Sequence, residues 1–280
     1  MKLSLGFSTC PNDTFVFDAM VHQKIDTEGL EFEPFLGDVE ELNKRAFLQE
    51  LDITKLSYHA YAFLSESYMI LDSGSALGEG NGPILLSKRK VYPNEVNDLT
   101  IAIPGKYTTA NLLLGIAYPY AQQKQEYLFS DIEEAILSDE VDAGLVIHEN
   151  RFTYASKGLQ KVIDLGEFWE KLTEELIPLG GIVILRSLDN EAKAKVNRVL
   201  KKSIEFAFKH PEEVMPYVKQ YAQEMDENVM KKHIGLYVNE YTIELGEKGK
   251  SAIRRFYELA KEKELIPAVN KNLFVSENLG

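Results

Sequence analysis

The sequence predicts an α/β fold: short strands alternate with helices to build mostly parallel sheets, and the chain crosses twice between two lobes. Three observations carry this expectation. Apolar, β-rich runs recur between longer helical patterns. The charged stretch Ser87-Lys88-Arg89-Lys90-Val91-Tyr92-Pro93-Asn94 divides those runs into two sets, as a linker would. Gly180-Gly181 precedes a late strand suited to a return crossing.

In chain order, the first set reads as strands at Leu3–Phe7, Leu30–Phe35, Ile53–Leu56, Met69–Leu71 and Ile84–Leu86. The second reads at Leu99–Ile103, Glu126–Phe129, Ala143–Ile147, Gln160–Ile163 and Ile182–Leu185. Beyond it the chain turns helical, with Val196, Val199, Leu200, Ser203, Ile204 and Ala207 on one face at i, i+3, i+4 spacing. Val214, Tyr217, Val218 and Tyr221 continue that face; Pro211 and Asp226 suit helix starts. The expected lobes are residues 1–90 with 187–280 as a larger, discontinuous unit, and 91–186 as a smaller one. Ligands of such sheets sit beyond the carboxyl ends of strands, so the strand-to-helix junctions are where chemistry is expected.

Composition narrows the classes. With 280 residues, 45% of them apolar and 27% charged, the chain can bury a substantial core. Forty-four acidic side chains against 31 basic ones give a net charge of -13, which repels nucleic acid and anionic membranes in the absence of a basic patch. One cysteine, Cys10, supplies neither an intrachain disulfide nor a thiolate zinc cluster. The amino-terminal apolar run is broken by Ser4, Ser8, Thr9 and Pro11, too short for a signal peptide. No apolar run approaches the roughly 18 residues of a membrane span. A cytoplasmic protein is expected. A G-x-S-x-G elbow, a P-loop, an H-E-x-x-H pair and a dinucleotide fingerprint are all absent from the sequence.

Four junctions carry candidate chemistry. Ile103-Pro104-Gly105-Lys106-Tyr107-Thr108-Thr109-Ala110 ends a strand and opens a helix, so free amides, the helix dipole and two hydroxyls could hold a carboxylate or phosphate. Ordinary capping accounts for one threonine equally well. Asp142-Ala143-Gly144-Leu145-Val146-Ile147-His148-Glu149 delivers His148 to the end of a small apolar strand, where neutral imidazole could act as a base, or simply bond to a loop. Lys55-Leu56-Ser57-Tyr58 offers a cation and a hydroxyl, both of which also have common structural explanations as a strand lysine and a helix cap. Ser8-Thr9-Cys10-Pro11-Asn12-Asp13-Thr14 repeats the theme. His59 also follows a strand end, whereas His22, His210 and His233 read as surface or boundary residues. Gly78-Glu79-Gly80-Asn81-Gly82-Pro83 reads as a tight loop bringing backbone close to a ligand.

The segments Gly6–Phe15, Thr54–Tyr58, Pro104–Ala110 and Gly144–Tyr154 together resemble the 1,4-dihydroxy-6-naphthoate synthase family of the futalosine route to menaquinone. The likeness runs from the first strand through Gly180-Gly181 in matching order and spacing, and more diffusely through the helical carboxyl third. Two small departures are Thr9, where a proline is common, and Glu79 with Asn81 in a variable glycine loop.

The resemblance implies a two-lobed, periplasmic-binding-protein-like (type II) α/β fold with a ligand cleft between the lobes. It implies conversion of cyclic dehypoxanthinylfutalosine to 1,4-dihydroxy-6-naphthoate, with release of a dihydroxyacetone-type three-carbon fragment and no cofactor or metal. His148 would be the base. Lys55, Leu56 and Ser57 in one lobe would contact substrate, as would Thr109 and Ala110 in the other, with Thr108, Ser8 and Asn12 beside them. The expected partner is a small anionic substrate, with no nucleic acid and no membrane; the resemblance leaves room for a homodimer. Two rival readings share the fold: a solute-binding protein that captures a small anion without turnover, and chorismate dehydratase of the same pathway, against which the His148 motif argues.

Overall fold

The computed structural model describes residues 1–80, 82–147, 150–222 and 226–278. Its strands in chain order are β1 (Lys2–Phe7), β2 (Glu31–Leu36), β3 (Ile53–Ser57), β4 (Tyr68–Ile70), β5 (Ala76–Gly78), β6 (Ile84–Ser87), β7 (Ile101–Ile103), β8 (Lys124–Glu126), β9 (Ala143–Val146), β10 (Gln160–Asp164) and β11 (Ile177–Leu185). They form two sheets. One runs β2-β1-β3-β11-β4, with β5 also paired to β11; the other runs β10-β6-β9-β7-β8.

Both sheets are mixed, where the sequence led us to expect mostly parallel ones. β1 runs parallel to β2 and β3, and β7 parallel to β8 and β9, as βα units require. β11 is antiparallel to β3, β4 and β5, and β6 is antiparallel to β9 and β10. These two strands are the ones by which the chain enters a sheet from the other lobe, so they arrive from the opposite direction.

The same pairing moves the crossings. Ile84–Ser87, expected with the first set, belongs to the second sheet, and Ile177–Leu185, expected with the second set, lies in the middle of the first. The chain changes sheets over 79–83 and 165–176 rather than near 90 and 186. At these crossings the backbones touch: Leu165 N–H donates to the Pro83 carbonyl at 2.9 Å, and a Cβ on Gly82 would overlap the Gly166 backbone. The close approach at Gly82 is therefore to the other crossing, not to a ligand. Two smaller differences are the added strand β5 and the edge strand β8, which begins two residues earlier than expected.

The helices that bear on the cleft include α1 (Pro11–Val21), α2 (Val39–Phe47), α3 (Tyr58–Leu64) and α4 (Thr109–Ala117). The carboxyl-terminal helices, among them Asn190–Lys209 and Glu227–Tyr237, cover one face of the first sheet, burying Val196, Leu200 and Ile204 against Phe17, Ile53 and Ile182. A second apolar cluster joins Tyr58 and Tyr61 of the first lobe to Leu85, Ile101 and Trp169 beyond the crossing, so the lobes share a core on one side and part on the other.

Candidate active site

The carboxyl ends of β1, β3, β7 and β9 converge on one cleft between the lobes. Its walls include Ser8, Asn12 and Asp13 after β1; Lys55, Leu56 and Ser57 on β3; Thr108, Thr109 and Ala110 after β7; and Ile147 after β9. All eight residues expected to bind substrate thus border a single space. His148, the expected base, follows Ile147 directly in the chain and lies outside the described residues, as does Glu149.

Asp13 organises the first junction. Cys10 is extended and Pro11 opens α1, which sets Asp13 in the first turn, facing back toward β1. One of its carboxylate oxygens accepts from Ser8 N–H at 3.1 Å and from Ser8 Oγ at 2.7 Å; the other accepts from Asn12 Nδ2 at 2.8 Å and from Lys55 Nζ at 2.9 Å. Lys55 lies on the fully buried strand β3, opposite Ile182 of β11. Buried cations are paired, and this one is paired at the cleft wall.

Ser57 closes β3 and precedes α3. Its N–H donates to Asn43 Oδ1 at 3.0 Å, and its hydroxyl accepts from Asn43 Nδ2 at 3.2 Å, which leaves the Ser57 O–H to donate. Gly180 faces this strand so closely that a Cβ would stand 2.6 Å from the Leu56 carbonyl oxygen.

At the second-lobe junction the threonine hydroxyls are already committed, contrary to their expected part in holding an anion. Thr108 Oγ1 donates to the Gly105 carbonyl at 2.8 Å and caps α4 by accepting from Asn111 N–H; Thr109 Oγ1 donates across the cleft to the Leu179 carbonyl at 2.5 Å. What remains for a ligand is backbone. The amides of Thr109 and Ala110, the first two of α4, have no protein acceptor among the described residues and stand at the positive end of its dipole.

Lys106 is exposed over the Tyr107 ring and does not border the cleft. His59 is buried at the seam of the lobes, its Nδ1 3.1 Å from the Thr108 carbonyl, and burial pushes its pKa down to about 4. It is a structural neutral imidazole in this environment. His233, read as a surface or boundary residue, is instead fully buried, with Nε2 2.9 Å from Asn12 Oδ1 behind the cleft. Its partner is 221 residues away, beyond the reach of local patterning. At the surface, His210, Glu212 and Glu213 bring ligand atoms within 4.8 Å of one another, a grouping the sequence reading did not mark; none borders the cleft.

The rest of the lining is apolar: Val39, Ala76, Pro83, Ile147 and Leu179, with Tyr237 from the carboxyl-terminal helices. Pro83 and Ile147 belong to segments singled out in the sequence, whereas Val39, Ala76, Leu179 and Tyr237 carry no local signal of a cleft wall, and neither does the pairing of Asp13 with Lys55. Charge and hydrogen bonding are thus concentrated at two places, Lys55 with Ser57 on one lobe and the α4 amides on the other, with apolar walls between. Such a space suits a flat, partly apolar anion.

A family model described as menaquinone biosynthesis matches residues 3–262. The 1,4-dihydroxy-6-naphthoate synthase of Thermus thermophilus is 40% identical over 273 residues, covering 98% of this chain and 99% of that protein. A crystal structure of an Archaeoglobus fulgidus protein, 39% identical, superposes with a TM-score of 0.90 over 95% of this chain and 98% of that one. A Candida albicans protein described as having the generic periplasmic binding protein fold superposes with a TM-score of 0.67 at 14% identity, over the whole of this chain and 94% of that one, which shows the shared fold.

Proposed function

Because the chain belongs to the menaquinone-biosynthesis family and is an enzyme of that route, we propose that it converts cyclic dehypoxanthinylfutalosine to 1,4-dihydroxy-6-naphthoate, releasing a dihydroxyacetone-type fragment. The observation that carries this reading is the convergence of four strand ends on one cleft, with polar groups on both lobes and apolar walls between them. The substrate has matching parts: an aromatic carboxylate, a ring system and sugar hydroxyls.

In this reading the α4 amides of Thr109 and Ala110 take the carboxylate, since amides at a helix amino terminus favour an anion without bringing a mobile charge. The ring lies against Val39, Leu56, Ile147 and Leu179. Ser57 donates its O–H to a substrate oxygen, and Lys55, fixed by Asp13, supplies positive charge at the same wall. These groups offset the repulsion an anion meets from a chain carrying -13 overall.

His148, next in the chain after the cleft residue Ile147, removes a proton from the substrate. With that proton taken from a hydroxyl, the oxygen's electron pair forms a carbonyl as the carbon–carbon bond to the sugar remnant breaks in a retro-aldol sense; the pair of the broken bond stays on the ring-side carbon as a carbanion, and aromatisation of the new ring drives the later steps. A neutral imidazole with an ordinary pKa of about 6.5 is suited to accept that proton near neutrality. The apolar walls and the abutting lobes limit water around the carbanionic intermediate.

The test is incubation of the purified protein with cyclic dehypoxanthinylfutalosine and chromatographic detection of 1,4-dihydroxy-6-naphthoate. Product is expected from the wild type, and His148→Ala should lower turnover by about a hundredfold or more. Binding without product over long incubation would instead indicate a solute-binding protein, and full turnover by the variant would remove His148 from its role.

A further inference from the structure

Glu40 is an unusual carboxylate. It sits in the first turn of α2, where Asp38 caps the helix by accepting from Glu40 N–H at 2.8 Å and Glu41 N–H at 3.1 Å. A glutamate at such a position ordinarily faces water and complements the helix dipole. This one is only 5% exposed, and it points at the other lobe. Its Oε1 accepts from the backbone N–H of Tyr107 at 3.2 Å; its Oε2 accepts from Asn43 Nδ2 at 3.0 Å. No lysine or arginine among the described residues pairs with it directly. Burial raises its pKa above the ordinary carboxylate value, as desolvation with only neutral donors should.

Both bonds lead to the substrate site. Asn43 grips Ser57 by the hydroxyl and the backbone N–H. Tyr107 belongs to the turn that presents the α4 amides, and Thr108 and Asn111 brace that turn on the carbonyls of Gly105 and Lys106. Gly105 makes room for the carboxylate: with φ at +147°, a Cβ there would stand 2.5 Å from Glu40 Cγ and Cδ. One buried side chain of the first lobe therefore touches the frame of both polar halves of the cleft.

We propose that Glu40 is a positioning residue: its carboxylate fastens the Tyr107–Thr109 turn of one lobe to the Asn43–Ser57 pair of the other, holding the two halves of the substrate site in register. The proposal rests on the reading of the cleft as the substrate site. Both carboxylate oxygens are used, each by a separate donor.

The test compares the full-length wild type with Glu40→Gln, Glu40→Asp and Glu40→Ala. Hydrogen exchange at the Tyr107 amide, measured without substrate, reports the clasp itself. Exchange is expected to rise by about tenfold or more in Glu40→Ala and in Glu40→Asp, whose reach is one methylene shorter, and to stay within about threefold of wild type in Glu40→Gln, which keeps an acceptor at the right distance. With cyclic dehypoxanthinylfutalosine, kcat/KM should fall by about tenfold or more in Glu40→Ala and recover at least in part in Glu40→Gln. The aspartate variant gives the same answer should the alanine variant not fold. Unchanged Tyr107 exchange in both shortened variants, or wild-type kcat/KM in Glu40→Ala, would overturn the proposal. If the wild type itself did not turn over this substrate, the substrate reading would fail while the exchange comparison still decided the role of Glu40.

Discussion

Lys55 Nζ lies 2.9 Å from Asp13 Oδ1, joining β3 to the first turn of α1 across a distance of 42 residues. Both side chains are nearly buried, at 11% and 4% exposure. Removing one member of such a pair leaves the other charge unsatisfied, whereas removing both can be nearly neutral. Asp13→Ala is therefore expected to destabilise the fold by about 3 kcal/mol in urea unfolding, and Asp13→Ala with Lys55→Met to recover most of that loss. A double variant as unstable as the single one would show that Asp13 acts mainly through Ser8 and Asn12.

Two glycines should respond in opposite directions. Gly82 abuts the Gly166 backbone where the crossings meet, so Gly82→Ala must push the crossings apart and should cost about 1–3 kcal/mol. Gly235 is exposed in the helix Glu227–Tyr237 with open space around it, and Gly235→Ala should stabilise by about 0.5–1 kcal/mol through helix propensity alone. Thermal unfolding of the two variants checks both signs; a stabilising Gly82→Ala would contradict the contact.

His59 predicts an acid-sensitive seam between the lobes. Its pKa falls to about 4 in the folded protein, from about 6.5 when unfolded, so between those values the unfolded chain binds the extra proton. The stabilisation from keeping His59 neutral is complete above about pH 6.5 and is lost as pH falls toward 4, amounting to about 3 kcal/mol. Glu40 works the other way, since its raised pKa lets the folded state take up a proton first as pH falls. The His59 part is isolated by subtraction: His59→Gln should show a shallower loss of stability than wild type between pH 6.5 and 4. Parallel curves would contradict the assignment.

What was legible in the sequence was local. A strand end, a proline or threonine cap and an apolar helix can be read within a dozen residues, and this located Ser8, Lys55, Ser57 and Thr109 at their junctions. Strand partnership is not local. Ile84–Ser87 and Ile177–Leu185 look like any apolar runs, and only their pairing reveals which sheet each joins. For the same reason nothing local marks Glu40 or Asn43 among the polar residues of α2, and His233 reads as a surface or boundary residue. Their partners are Tyr107, Ser57 and Asn12, brought near by the tertiary fold. Amides and hydroxyls at Thr108 and Thr109 are equally visible in the sequence, but only the fold shows that both hydroxyls donate to protein carbonyls while the Thr109 and Ala110 amides have no protein acceptor among the described residues.

The most direct measurement is a crystal structure of the His148→Ala variant soaked with cyclic dehypoxanthinylfutalosine. The account expects the substrate carboxylate on the Thr109 and Ala110 amides, the ring against Leu56 and Ile147, and a sugar oxygen within hydrogen-bond reach of Ser57. Substrate bound outside this cleft, or within it with its carboxylate turned away from α4, would contradict the account.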